Sequence, residues 1–114
     1  MRPYVLAWLQ SFLFTQVVEV PVYMQALPGG RWRAGLIAFG ASSLTHPVVW
    51  FVFPVMLRRD WLRVTVFSEL FSFGVEAVYM CIWLKPWKAG AVSLVANGAS
   101  LGLGLLSRHL FGVP

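Results

Sequence analysis

The sequence predicts an all-α, polytopic integral membrane protein, an up-down bundle of four transmembrane helices. Three observations carry that prediction. Four apolar stretches each approach the roughly 20 residues needed to cross a bilayer. Only 11% of the 114 residues are charged while 59% are hydrophobic and 16% aromatic, whereas soluble domains carry about a quarter charged residues. A soluble chain this short would also have too little interior to hide so much apolar surface. The expected organisation is one domain over residues 1–114, with no separate soluble domain.

The first helix is expected over about 4–24. Its length, its internal Glu19 and the lack of a small-residue cleavage site after it favour a retained helix over a cleaved signal peptide. Leu27-Pro28-Gly29-Gly30 then breaks the chain. The second helix, about 34–56, ends at Leu57-Arg58-Arg59-Asp60, and the third, about 62–84, ends at Lys85-Pro86. The fourth runs over about 89–106, ahead of Arg108 and His109. Connections this short make successive helices antiparallel neighbours. A β-barrel would alternate polar and apolar residues, and Val48-Val49-Trp50-Phe51-Val52-Phe53 does not.

The net charge of +5 does not point to nucleic acid, because the basic residues are spread between the apolar stretches. Such residues anchor helix ends among headgroups and set orientation. Both termini fall on one side with Arg2, Arg58, Arg59, Arg63 and Arg108. Arg31, Arg33, Lys85 and Lys88 fall on the other, a bias of one toward cytoplasmic termini. Trp32, Trp61 and Trp87 sit in the connections as interfacial anchors. Cys81 is the one cysteine, which excludes an internal disulfide.

Of the four acidic residues, Glu19, Glu69 and Glu76 lie inside predicted spans. Each charge near a bilayer centre costs about 2.5–3.5 kcal/mol on insertion scales, so these groups need protons, partners or water. Their neighbours are ordered. Thr65, Glu69, Ser72 and Glu76 occupy one face of the third helix, and Ser93, Asn97, Ser100 and Gly104 repeat that spacing on the fourth. Ala34, Ala38, Ser42 and His46 form a ridge on the second helix, and Thr15 and Gln16 precede Glu19 by one turn on the first. Lipid drives such stripes inward. A rise of about 1.5 Å per residue places Glu69 about 10 Å from Glu76 along the axis, His46 and Asn97 between them, and Glu19 beside Glu76. Pro21 and Pro47 free the carbonyls of Val17 and Ser43, a feature that lines cavities as well as kinks helices. Gly98 and Gly102 have GxxxG spacing beside a second ridge of Ala96, Ser100 and Gly104, which suits helix packing on two sides.

These residues lead to one functional expectation and two rivals. The first is a small membrane protein working in an assembly, with itself or with a membrane-protein partner. Its Glu19, His46, Glu69, Glu76 and Asn97 cluster, flanked by Thr65, Ser72 and Ser93, handles protons or cations or pairs with a partner's polar groups. The first rival is a purely structural subunit with a polar core that sets packing. The second is an intramembrane enzyme acting on a lipid-like substrate, with His46 and Glu69 or Glu76 as acid and base. Ser42, Ser43, Ser93 and Ser100 are available as nucleophiles, but no Gly-x-Ser-x-Gly elbow accompanies them. A metal on His46 with Glu19, Glu69 or Glu76 is a lesser reading, since no Glu-x-x-His or His-Glu-x-x-His spacing occurs. No cofactor is indicated.

Overall fold

The computed structural model describes residues 2–112, and for Arg2 the backbone alone. Arg2's side chain, counted above with the basic residues, therefore lies outside the described residues. The fold is all-α, with no strand among the described residues. Helix α1 covers Arg2–Ala26 and α2 covers Arg31–Phe51, continued by a single turn, α3, at Phe53–Met56. Helices α4 (Trp61–Met80) and α5 (Pro86–Phe111) complete the chain. The long axis of 39 Å exceeds the roughly 30 Å of a bilayer's hydrocarbon core.

The helices form a ring. Helix α1 packs against α2 and α5, and α4 packs against the same two, so α1 and α4 are diagonal partners. Close pairs such as Tyr4 with Trp50, Glu19 with Ser42 and Phe73 with Ser93 make neighbours antiparallel. Pro3–Ala26, Arg31–Met56 and Pro86–Phe111 are long and apolar enough to cross a membrane. Helix α4 is not one of these three. It carries Arg63, Glu69 and Glu76 within 20 residues. Its polarity is one-sided, however, because Val66, Phe67, Leu70 and Val78 are exposed on its outer surface.

The interior reverses the soluble pattern. Leu13, Val17, Leu36, Leu44 and Leu94 are exposed, while Ala38, Ala41, Ser42, Ser93 and Ala96 are fully buried. Small residues let backbones approach where no hydrophobic force drives helices together. At one approach, a Cβ on Gly40 would stand 2.5 Å from the Tyr79 hydroxyl oxygen. The missing side chain lets Tyr79 lie over α2 and donate to the Ile37 carbonyl at 2.9 Å.

Helix ends differ from the expected bounds for local reasons. Helix α2 starts three residues early, capped by an extended Gly30. Helix α4 stops at Met80, and Cys81–Leu84 wind into turns closed by Ile82 N–H to Tyr79 and Trp83 N–H to Met80. Lys85, which precedes Pro86, is extended, as residues before proline generally are. Helix α5 runs to Phe111 and ends on Gly112 at φ 70°, the left-handed stop that glycine adopts freely. Arg58 and Arg59 both have positive φ (54° and 56°), and the tight turn they make lets Asp60 cap α4 through the Arg63 N–H at 3.3 Å.

Pro21 and Pro47 sit inside unbroken α1 and α2; the break falls at Val52, ahead of Pro54. Pro54 has no N–H to offer the Trp50 carbonyl four residues earlier. The Tyr4 hydroxyl donates to that carbonyl instead, tying the start of α1 to the break. Tyr4→Phe is therefore expected to destabilise the fold by about 1 kcal/mol. In a Pro54→Ala background residue 54 supplies its own N–H and the loss should shrink. Thermal unfolding of the four proteins in bicelles measures this, and equal losses in both backgrounds would contradict it.

Candidate functional site

The four polar stripes meet on two carboxylates. Glu19 and Glu76 come from the diagonal helices α1 and α4, are almost wholly buried, and are electrostatic neighbours. Every donor to them is a side chain. Ser42 donates to Glu19 Oε1 at 2.8 Å and Ser100 to Glu19 Oε2 at 2.6 Å. Tyr23 donates to Glu76 Oε1 at 2.6 Å, Asn97 to the same oxygen at 3.1 Å, and Thr45 to Oε2 at 2.7 Å. Asn97 is oriented by donating also to the Ser93 carbonyl at 2.9 Å, while the Ser93 hydroxyl donates to the Phe73 carbonyl of α4 at 2.9 Å. Two carboxylates thus draw on α1, α2 and α5 at once.

A cavity of about 200 Å³ extends from this pair toward the end of the ring that holds the start of α1 and the end of α5. Its inner wall includes Glu19, Glu76, Asn97 and Thr45. Farther out lie His46, Ser72, Glu69 and Thr65, and the rim includes Trp61 and Arg108, both exposed. On the opposite side of the pair the core closes with Tyr23, Ala38, Ala41, Met80 and Ala89, all fully buried. The polar interior is therefore a pit with one mouth.

The pit has little positive charge to offset its three glutamates. Arg108 at the rim is its one Lys or Arg lining residue. The one ion pair among the described residues, Arg63 with Asp60 at 3.8 Å, is exposed and outside it. No three His, Cys, Asp or Glu side chains gather as a metal-binding group among the described residues. His46 Nε2 meets the Thr15 hydroxyl at 3.3 Å, and its ring stacks on Trp50.

Most residues singled out from the sequence line this pit or support its floor. Glu19, His46, Thr65, Glu69, Ser72, Glu76, Asn97 and Ser100 line it, with Gly104, and Ser93 braces Asn97 from behind. The ridge of Ala96, Ser100 and Gly104 faces inward, and a Cβ added at Gly104 would meet the Phe14 ring at 3.9 Å. Gly98 and Gly102 face outward, with nothing within 4 Å of an added Cβ. Ser43 is half-buried and donates to the Phe39 carbonyl at 2.8 Å. Gln16 is buried away from the pit with both amide atoms unpartnered among the described residues, and nothing in the structure explains it. Tyr23 and Thr45 are the donors that the sequence pattern does not single out. Each carries a signal, since Tyr23 is one turn beyond Glu19 and Thr45 one turn beyond Ser42, on the same helix faces.

One-sided access has a direct chemical readout. After Cys81, which is exposed, is replaced by Ala, Ser72→Cys should react with a water-soluble thiol reagent added on the side of the termini. Ala38→Cys, in the closed half, should react from neither side. Labelling of Ala38→Cys as fast as Ser72→Cys would contradict a pit closed at its inner end. No known protein family, curated protein or solved structure matches this chain.

Proposed function

We propose that this is a four-pass membrane protein that takes up protons or small cations, from the side of its termini, onto the Glu19–Glu76 carboxylate pair. The observation that carries this reading is the pit itself, which leads past Glu69 to two buried carboxylates with no internal basic partner. Intramembrane carboxylates without such a partner call for a proton, a cation or water. Helix α4 is the fourth crossing, because its Thr65, Glu69, Ser72 and Glu76 face the pit while Val66, Phe67, Leu70 and Val78 face outward. The count of basic residues favours termini in the cytoplasm.

The closed inner end makes the pit half of a pathway. A partner, either a second copy or another membrane protein, or a change in helix packing would complete it. In the first case the protein works within an assembly.

A purely structural role is the second reading, and the saturation of the pair favours it. Five side-chain donors on two carboxylates are also what a fixed polar packing device needs. The two readings separate on proton exchange. In nanodiscs, infrared difference spectra are expected to show the carboxylic-acid carbonyl band weakening as bulk pH is raised, with Glu19→Gln or Glu76→Gln removing the change. A band at these residues that ignores bulk pH would leave only the packing role.

A further inference from the structure

The pit divides into two parts with different hydrogen-bonding states. At its floor the carboxylate oxygens are taken by five donors. In the outer chamber His46 and Thr15 pair with each other, and four further polar side chains are free. The side chains of Glu69, Ser11, Thr65 and Ser72 line the pit and make no hydrogen bond among the described residues. Ser72 matters most here, because the residue is only 7% exposed yet borders the pit without a protein partner. A hydroxyl held that deep in a membrane protein leaves its bonding capacity for whatever fills the space.

We infer that the outer chamber is a binding site for a small organic ammonium, with the Glu69 carboxylate as its counter-ion and the Phe14, Trp50 and Trp61 rings as its walls. This inference rests on the reading of the pit as a cation site, places the organic cation at Glu69 in front of the pair rather than on it, and names its class. An ammonium carries up to three N–H donors, which match the Glu69 carboxylate and the Ser72 and Thr65 hydroxyl oxygens. Aromatic faces attract such a cation most strongly where water is scarce, and Phe14, Trp50 and Trp61 all border the chamber. Val49, Leu101 and Leu105 offer apolar contact for a short alkyl part. About 200 Å³ is below the roughly 300–1,000 Å³ of drug-sized sites, so the ligand is small.

An inorganic cation suits the chamber less well. Stripped of water, it needs a shell of several oxygen ligands. The oxygens that are grouped closely here, on Glu19 and Glu76, already accept hydrogens that point at them. Arg108 at the rim sets a sign that any cation must obey, since it opposes entry of positive charge.

Ligand-observed NMR titration of the full chain in nanodiscs, with empty nanodiscs as blank, tests this using n-propylammonium, 1-propanol and sodium chloride. Saturable binding of n-propylammonium is expected, with neither 1-propanol nor equimolar sodium displacing it. Glu69→Gln should weaken it about tenfold, the loss of one favourable ion pair worth about 1.4 kcal/mol. Arg108→Gln should strengthen it, which a merely structural Glu69 would not predict. Thermal midpoints close to that of the parent chain would show both variants folded, and Ser72→Ala offers a second weakening variant if Glu69→Gln unfolds. Absence of saturable binding, displacement by equimolar sodium, or unchanged affinity in folded Glu69→Gln and Ser72→Ala would each overturn the inference. Proton exchange at Glu19 and Glu76 in the infrared experiment can survive that outcome, so the two claims fail separately.

Discussion

A carboxylate buried between helices in a bilayer has little water to fall back on, and the protein must satisfy it largely from its own side chains. Two such groups, Glu19 and Glu76, organise this molecule. Each hydrogen bond to a charged group contributes about 1.5–3 kcal/mol, and a donor left facing nothing costs a comparable amount. Since the five donors sit on α1, α2 and α5 and the acceptors on α1 and α4, no helix can rotate without breaking part of the set. Apolar packing against lipid gives little rotational preference, so this network specifies the register of the ring.

The same constraint shapes the rest of the chain. Ala34, Ala38 and Ala41 on α2 and Ala89 and Ala96 on α5 keep the backbones close enough for short side chains such as Ser42 and Ser100 to reach the carboxylates. Bulk that would fill a soluble core is instead turned outward. The apolar part that remains inside, around Tyr23, Met80 and Leu27, lies on one side of the pair and closes it. On the other side polar walls keep a space open. The asymmetry between these halves gives the site a direction, and the proposed chemistry depends on it.

Much of this is legible in the sequence, for a physical reason. Helical periodicity reports which residues share a face, and lipid leaves a polar face nowhere to go but inward. So the four helices, the inward stripes and the meeting of Glu19 with Glu76 follow from spacing alone. What periodicity does not report is which residue on a face touches which across the ring. Spacing gives Tyr23 no role until α4 is placed opposite it, and Thr45 is one of several small polar residues near His46. The position of the break is hidden for a related reason. Of Pro21, Pro47 and Pro54, only Pro54 coincides with a break, where Tyr4 takes up the carbonyl it leaves. Helix α4 reads as longer than it is because Ile82, Trp83 and Leu84 continue the apolar run through the turns that follow it.

If the ring depends on its floor, Glu19 and Glu76 must act as one unit rather than as two separate buried acids. A double-mutant cycle on thermal stability in bicelles, with Glu19→Gln, Glu76→Gln and the combined variant, measures that dependence. The two changes are expected not to add, with a coupling of about 1 kcal/mol or more. Additive effects within about 0.3–0.5 kcal/mol would mean two independent buried carboxyls, and would contradict a shared network as the organiser of the fold.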